Sequence, residues 1–151
     1  MKVCKALLLI STIFIITATK VIADISSIGV YGISTHNDDN NGKGYNEKNI
    51  GLSVYYDHFK YQSIDISSEY GMFRNSFYDD AYFVGIESVY NLNDFLSFGF
   101  TIRHWETVNN TYAKRIATVY PRVRLRLTPS ISLDYIMRKS GQIYSLKIDL
   151  K

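Results

Sequence analysis

Cysteine is almost missing from this chain, with Cys4 the only one in 151 residues. The folded part therefore has no disulfide to staple it and no thiol chemistry to offer. Proline is nearly as scarce, at 2 residues, which suits long strands that keep every amide donor. A sustained period of 3.6 residues is missing from Ser26 onward, so amphipathic helices are not expected. Long apolar runs are missing too. The only candidate, 6–18, has 13 residues, and a membrane-spanning helix needs roughly 20.

That short run reads as part of an export signal. Lys2 and Lys5 precede it and Val21-Ile22-Ala23 follows it, which is the three-part pattern of a cleaved peptide. A short membrane anchor is the other reading. Cys4 lies too early to be a lipoprotein acceptor. Cleavage after Ala23 divides the chain into a signal peptide over 1–23 and one domain over 24–151. The leader takes Lys2, Lys5 and Lys20 out of 17 basic residues and none of the 14 acidic ones. The domain is left with 14 charges of each sign, and the basic balance of the whole chain belongs to its leader. Nothing remains to attract nucleic acid.

What is abundant is aromatic: 13 Tyr and 8 Phe. In an exported chain, many tyrosines suggest strands whose ends sit at membrane interfaces. Period-2 alternation runs through almost the whole domain. Leu96, Phe98, Phe100 and Ile102 alternate with Ser97, Gly99, Thr101 and Arg103. Tyr144, Leu146, Ile148 and Leu150 alternate with Ser145, Lys147 and Asp149. Such segments predict eight strands, near 26–36, 49–57, 61–75, 81–91, 95–106, 114–127, 130–138 and 143–150. Most reach the roughly 9–11 residues of a tilted membrane strand. Longer or polar connections follow strands 1, 3, 5 and 7. Tight ones follow strands 2, 4 and 6, near His58-Phe59-Lys60, Leu92-Asn93-Asp94 and Thr128-Pro129. Short turns at one end and longer loops at the other characterise outer-membrane barrels.

Alternation does not say which face looks outward, since a soluble lipocalin-type barrel has the same rhythm with apolar residues inside. Charge balance favours a polar interior. Asp65, Glu69, Glu87, Asp134 and Asp149 share the polar face with Arg103, Arg122, Arg124, Arg126 and Lys147. Opposite signs in equal number suit the pairing that burial demands, although a solvated face has the same mixture. The expected fold is all-β: an eight-stranded antiparallel up-and-down transmembrane barrel behind a cleaved signal peptide.

Such a barrel brings His36, at the top of strand 1, to the same rim as Asn75-Ser76, at the top of strand 3. A serine becomes an acyl-transfer nucleophile when an imidazole takes its proton and a third group orients that imidazole. Polar residues also simply crowd loop ends. The order His36, then Tyr45-Asn46-Glu47, then Met72-Phe73-Arg74-Asn75-Ser76-Phe77, then Gly85-Ile86-Glu87-Ser88 resembles the PagP-type lipid A palmitoyltransferases over roughly 33–89. Those are outer-membrane barrels that move a palmitoyl chain from a glycerophospholipid to lipid A.

The resemblance implies catalytic roles for His36 and Ser76, with Asn75 standing where that family has aspartate. It also implies substrate-side roles for Tyr45, Asn46, Glu47 and Gly85. Asparagine can orient an imidazole by hydrogen bonding but cannot neutralise an imidazolium. Asp79 or Asp80 is a substitute carboxylate in the same loop. Phe73, Ala81 and Phe83 are expected to line an upper acyl pocket with Gly85 as its floor, and the arginines to lie lower. Pro121 marks one lateral opening, where a missing amide loosens the ladder. Asn49 stands where the family has the proline of a second.

Three functions remain open. The chain is an acyltransferase, a non-catalytic outer-membrane barrel with a surface-binding or membrane-integrity role, or a soluble periplasmic barrel that carries a lipophile. The expected partners are membrane lipids, with phospholipid as donor and lipid A as acceptor. The expected state is a monomer in the outer membrane of a Gram-negative bacterium. No metal and no cofactor are expected: Asp38, Asp39, Asp79 and Asp80 read as solvated loop acids, and His58 and His104 as structural.

Overall fold

Eight antiparallel strands close into a single barrel in chain order. The computed structural model describes residues 24–36, 47–76, 78–108, 117–139 and 141–150. The expected signal peptide over 1–23 lies outside them, as do Tyr45 and Asn46. The strands are β1 (Ser27–His36), β2 (Gly51–Tyr61), β3 (Ile64–Arg74), β4 (Asp80–Asn91), β5 (Leu96–Thr107), β6 (Thr118–Thr128), β7 (Ile131–Arg138) and β8 (Gly141–Asp149). β1 closes the ring by pairing with β8 from Ser27↔Asp149 to His36↔Gly141. Closure leaves no free sheet edge, the condition for strands to survive in lipid.

Which face looks outward is settled by exposure along a single strand. In β5, Thr101 is 0 % exposed and Arg103 5 %, while Ile102 between them is 42 % exposed. The outer surface carries Leu52, Tyr70, Met72, Tyr82, Ile86 and Phe100. A water-soluble barrel would bury these and expose the charges. The arrangement here is inverted, as in a barrel that sits in lipid. Exposed aromatics gather toward the two ends: Phe59, Tyr61, Tyr90 and Phe95 by the short turns, Tyr78 and Tyr82 by the other rim. Ile86, midway along β4, faces out. Ile86→Arg is expected to cost about 2–4 kcal/mol at the bilayer midplane, read as a lower unfolding midpoint in lipid vesicles. Ile86→Leu serves as the control and should be nearly silent.

The interior is an ionic layer. Glu69 accepts hydrogen bonds from Arg103 Nη2 at 2.7 Å, Tyr55 Oη at 2.6 Å and Ser53 Oγ at 3.1 Å, and also from Tyr31 Oη. Arg122 contacts Glu87, Asp134 at 3.1 Å and Glu69 at 3.5 Å. Arg124 binds Asp134 at 2.6 Å and Glu87 at 2.8 Å. Lys147 is 3.9 Å from Glu87. Burying a charge is tolerable only when partners replace its water, and each of these has one. The arginine series is therefore low in the barrel as expected for Arg122 and Arg124. Arg126 is lower still, past the layer and exposed near the short turns.

The strand bounds differ from the sequence reading in two connections. β8 begins at Gly141, so the connection after β7 is shorter than the expected 139–142. β2 runs on to Tyr61 and turns at Gln62-Ser63, beyond the expected His58-Phe59-Lys60. The register shifts between Asp57 and Phe59. A bulge at His58 breaks the alternation there without ending the strand.

A second bulge matters more for the rim. Along β1, Ser27 and Tyr31 are buried, so odd positions face the lumen. The β1–β8 register then shifts between Tyr31 and Ile33. Above Gly32 the parity reverses: Ile33 is exposed and Ser34 is buried. That slip puts His36 on the same side as Ser34, toward the lumen.

Candidate functional site

His36 ends β1 and pairs with Gly141 of β8. Ser76 lies two residues beyond the end of β3. Forty positions apart in sequence, they meet at the long-loop rim, with Ser76 Oγ 2.8 Å from His36 Nε2. This is hydrogen-bond distance for a nucleophile and its base. With Nε2 unprotonated, Ser76 donates its hydroxyl proton into the imidazole. Ser34 Oγ is 3.4 Å from the same nitrogen, and Asn49 Nδ2 donates to Ser34 Oγ at 2.6 Å. Asn49 is fully buried. Sequence reasoning missed Ser34 and missed this use of Asn49. The only available signal for Ser34 was its place two residues before His36, which puts both on one face of a strand.

Asn75 is beside this pair but uses its side-chain oxygen on the loop. Its Oδ1 accepts the Asp79 amide at 3.0 Å. Its own amide donates to the Asp79 carbonyl at 2.7 Å, and its carbonyl accepts from the Tyr78 amide at 3.1 Å. These bonds tie Asn75 to Tyr78 and Asp79 and hold Ser76 inward, where it is buried. The role they give Asn75 is to position Ser76. Tyr78 adopts φ 65° in the same loop. Glu47 contributes its backbone, whose carbonyl accepts the Ser34 amide at 2.8 Å. Asp80 starts β4 and is exposed. Tyr45 and Asn46, the other residues of that motif, fall outside the described residues.

Below the pair, the expected acyl pocket is largely filled. Phe83 packs on Tyr31 and Phe73, with centroids 5.7 and 5.8 Å away. The Arg103 guanidinium lies 4.6 Å from the Phe83 ring centroid and 5.3 Å from that of Tyr31. Ala81 is fully buried. Gly85 does not line the cavity. A Cβ there would sit 2.9 Å from Arg103 Cγ, so the missing side chain makes room for the arginine stem. What remains is a cavity of about 50 Å³ bordered by Phe73, Ser76, Arg103, Trp105, Tyr120 and Arg138. Sites that hold drug-sized ligands run to roughly 300–1,000 Å³.

Among the described residues, the β1–β2 and β6–β7 ladders stop short on the mouth side. β1 and β2 pair only from Ser27↔Tyr55 to Tyr31↔Gly51. β6 and β7 pair only up to Arg122↔Ile136, one residue below Pro121. From Thr118 to Pro121, β6 pairs with β5 alone. Proline has no amide to donate, and Pro121 sits at the edge of the second gap. At the first gap, the buried Asn49 side chain stands between the separated strands and ties back to Ser34.

The other histidines have local partners: His58 Nε2 is 2.8 Å from Ser68 Oγ and His104 is 3.6 Å from Glu106. Among the described residues, no three His, Cys, Asp or Glu side chains gather as a metal site.

No protein-family model matches the sequence, and no curated protein matches it either. Solved barrels resemble the fold. The outer membrane protein Ail of Yersinia pestis is 11 % identical, with a TM-score of 0.43 over 82 % of this chain and 98 % of that one. Neisserial surface protein A is 9 % identical, with a TM-score of 0.42 over 83 % of this chain and 96 % of that one. A designed transmembrane barrel is 11 % identical, with a TM-score of 0.46 over 83 % of this chain and 97 % of that one. At these identities no residue role is carried over from them. The chain folds as a small eight-stranded antiparallel β-barrel, as these membrane proteins do.

Proposed function

We propose that this chain is a monomeric outer-membrane barrel that works at its exterior mouth, in surface binding or membrane integrity, and not through its lumen. The observation behind this reading is the closed interior: a paired ionic layer across the lumen, with about 50 Å³ of space above it and about 200 Å³ on the short-turn side. A filled barrel neither conducts nor holds a palmitoyl chain. Purified protein in planar bilayers is expected to give no steady conductance. Cells lacking the chain are expected to take up more of a hydrophobic dye, with uptake restored by the intact gene. A stable open channel would sink the proposal, and unchanged dye uptake would remove its membrane-integrity branch.

A second reading keeps the same barrel and adds acyl transfer from phospholipid to lipid A at the rim. It is favoured by the 2.8 Å approach of Ser76 Oγ to His36 Nε2. The two shortened ladders beside the mouth also support it, because they offer sideways access from the bilayer. Mass spectrometry of lipid A should then show an added acyl group that depends on this chain. Ser76→Ala and His36→Ala should each cut it by about 10⁶-fold while the barrel still folds. Normal acylation in both variants rules this reading out.

A further inference from the structure

The cavity beside Ser76 has a depth fixed by the ionic layer, and that fixes what it can accept. We propose that Ser76 and His36 act on short acyl esters, of acetyl to propionyl size, and not on long fatty acyl chains. This rests on the Ser76–His36 acyl-transfer chemistry of the second reading and replaces its long-chain phospholipid donor with a short acyl ester.

Three observations carry the inference. The first is the volume, about 50 Å³. The centre of one water needs roughly 10–15 Å³ of such space, so the cavity takes about the three or four heavy atoms of an acetyl or propionyl group. The second is the lining. Phe73, Trp105, Tyr120 and Ile143 supply apolar walls for a methyl group, next to the buried Ser76 hydroxyl. The bottom is Arg103, tied to Glu69 through Nε at 3.1 Å and Nη2 at 2.7 Å. Arg103 cannot swing aside for a longer chain without stranding the buried Glu69 carboxylate. The third is Arg138, which lines the same cavity and makes no ion pair with any described residue. Its guanidinium lies 5.9 Å from the Tyr120 ring centroid. A cation there serves the negative charge that develops on a carbonyl oxygen under attack.

In the reaction, Ser76 Oγ bonds to the ester carbonyl carbon as its proton passes to His36 Nε2. The carbonyl π pair moves onto oxygen. That pair returns, the carbon–oxygen bond to the alcohol breaks, and the alkoxide leaves with the proton from His36. Water, or a lipid hydroxyl, then attacks the acyl-serine and gives its proton to His36. Collapse releases the acid or the new ester, and the Ser76 oxygen takes the proton back.

The full domain refolded in detergent micelles tests this with p-nitrophenyl acetate and p-nitrophenyl palmitate. Acetate is expected to turn over more than tenfold faster than palmitate. Ser76→Ala and His36→Ala should lose that excess, Arg138→Met should lower kcat with KM nearly unchanged, and Trp105→Ala should move the preference toward butyrate. A fluorophosphonate probe should label Ser76 in the native protein and not in the His36→Ala variant. Palmitate cleaved as fast as acetate, in a Ser76-dependent way, overturns the short-chain assignment and leaves the nucleophile standing. Absence of both Ser76-dependent turnover and labelling overturns the assignment together with the acyl-transfer reading beneath it.

Discussion

Glu69→Ala is expected to lower the stability of the barrel by about 3–5 kcal/mol, the usual cost of removing one partner from a buried ion pair. Glu69 is 0 % exposed and receives Arg103, Tyr31, Tyr55 and Ser53. Its loss falls mainly on Arg103, whose only ion pair among the described residues is Glu69. Arg122 keeps Glu87 and Asp134. The alanine also leaves three buried hydroxyls to find new partners, each worth about 1 kcal/mol. Denaturant titration in micelles, followed by the gel shift between folded and unfolded barrel, measures the difference. The double variant Glu69→Ala with Arg103→Met should recover part of the loss, because it removes the stranded cation as well. A Glu69→Ala barrel as stable as the parent would show that the interior layer is hydrated and not closed.

Gly141→Ala is expected to be nearly as damaging, through the backbone. Gly141 opens β8 at φ +155°, and a Cβ there would lie 1.8 Å from the Thr35 carbonyl oxygen and 3.1 Å from His36 Cα. The unusual dihedral costs about 1–3 kcal/mol for a non-glycine residue. The contact adds to this because the obstacle is backbone, which cannot swing away. The strain falls on the top of the β1–β8 ladder, where His36 pairs with Gly141. The variant should therefore unfold at lower denaturant and also lose Ser76 labelling even where it remains folded. Gly32→Ala is the control. A Cβ at Gly32 meets nothing within 4 Å, so that variant should keep both stability and labelling.

Much of this barrel was legible in the alternation. Ser97, Thr101 and Arg103 against Phe98, Phe100 and Ile102 needed only period 2 to be sorted into two faces, and the structure sorts them the same way. Charge parity pointed to the lumen, where Glu69, Glu87 and Asp134 meet Arg103, Arg122, Arg124 and Lys147. What alternation could not carry was phase. A bulge adds one residue without any composition of its own, so the slips near Gly32 and His58 left no mark in the sequence. The second was misread as a turn for that reason. The meeting of His36 with Ser76 followed from strand order, whereas the assignment of Gly85 as a pocket floor did not survive. The length of Arg103 decides that space, and neighbours across a ladder are invisible until the register is known. Asn75 is similar: its side chain closes its own loop, a local preference of asparagine that competes with any role across the rim.

The single-residue slip at Gly32 makes β1 two half-strands with opposite allegiance. Below it, even-numbered side chains belong to the bilayer; above it, odd-numbered ones do. Were that glycine drawn into regular pairing, composition, length and hydropathy would be untouched, yet the imidazole of His36 would turn toward lipid and Ile33 would enter the lumen. Chemistry at the mouth of this protein thus depends on an odd-or-even count more than on any side chain in the count.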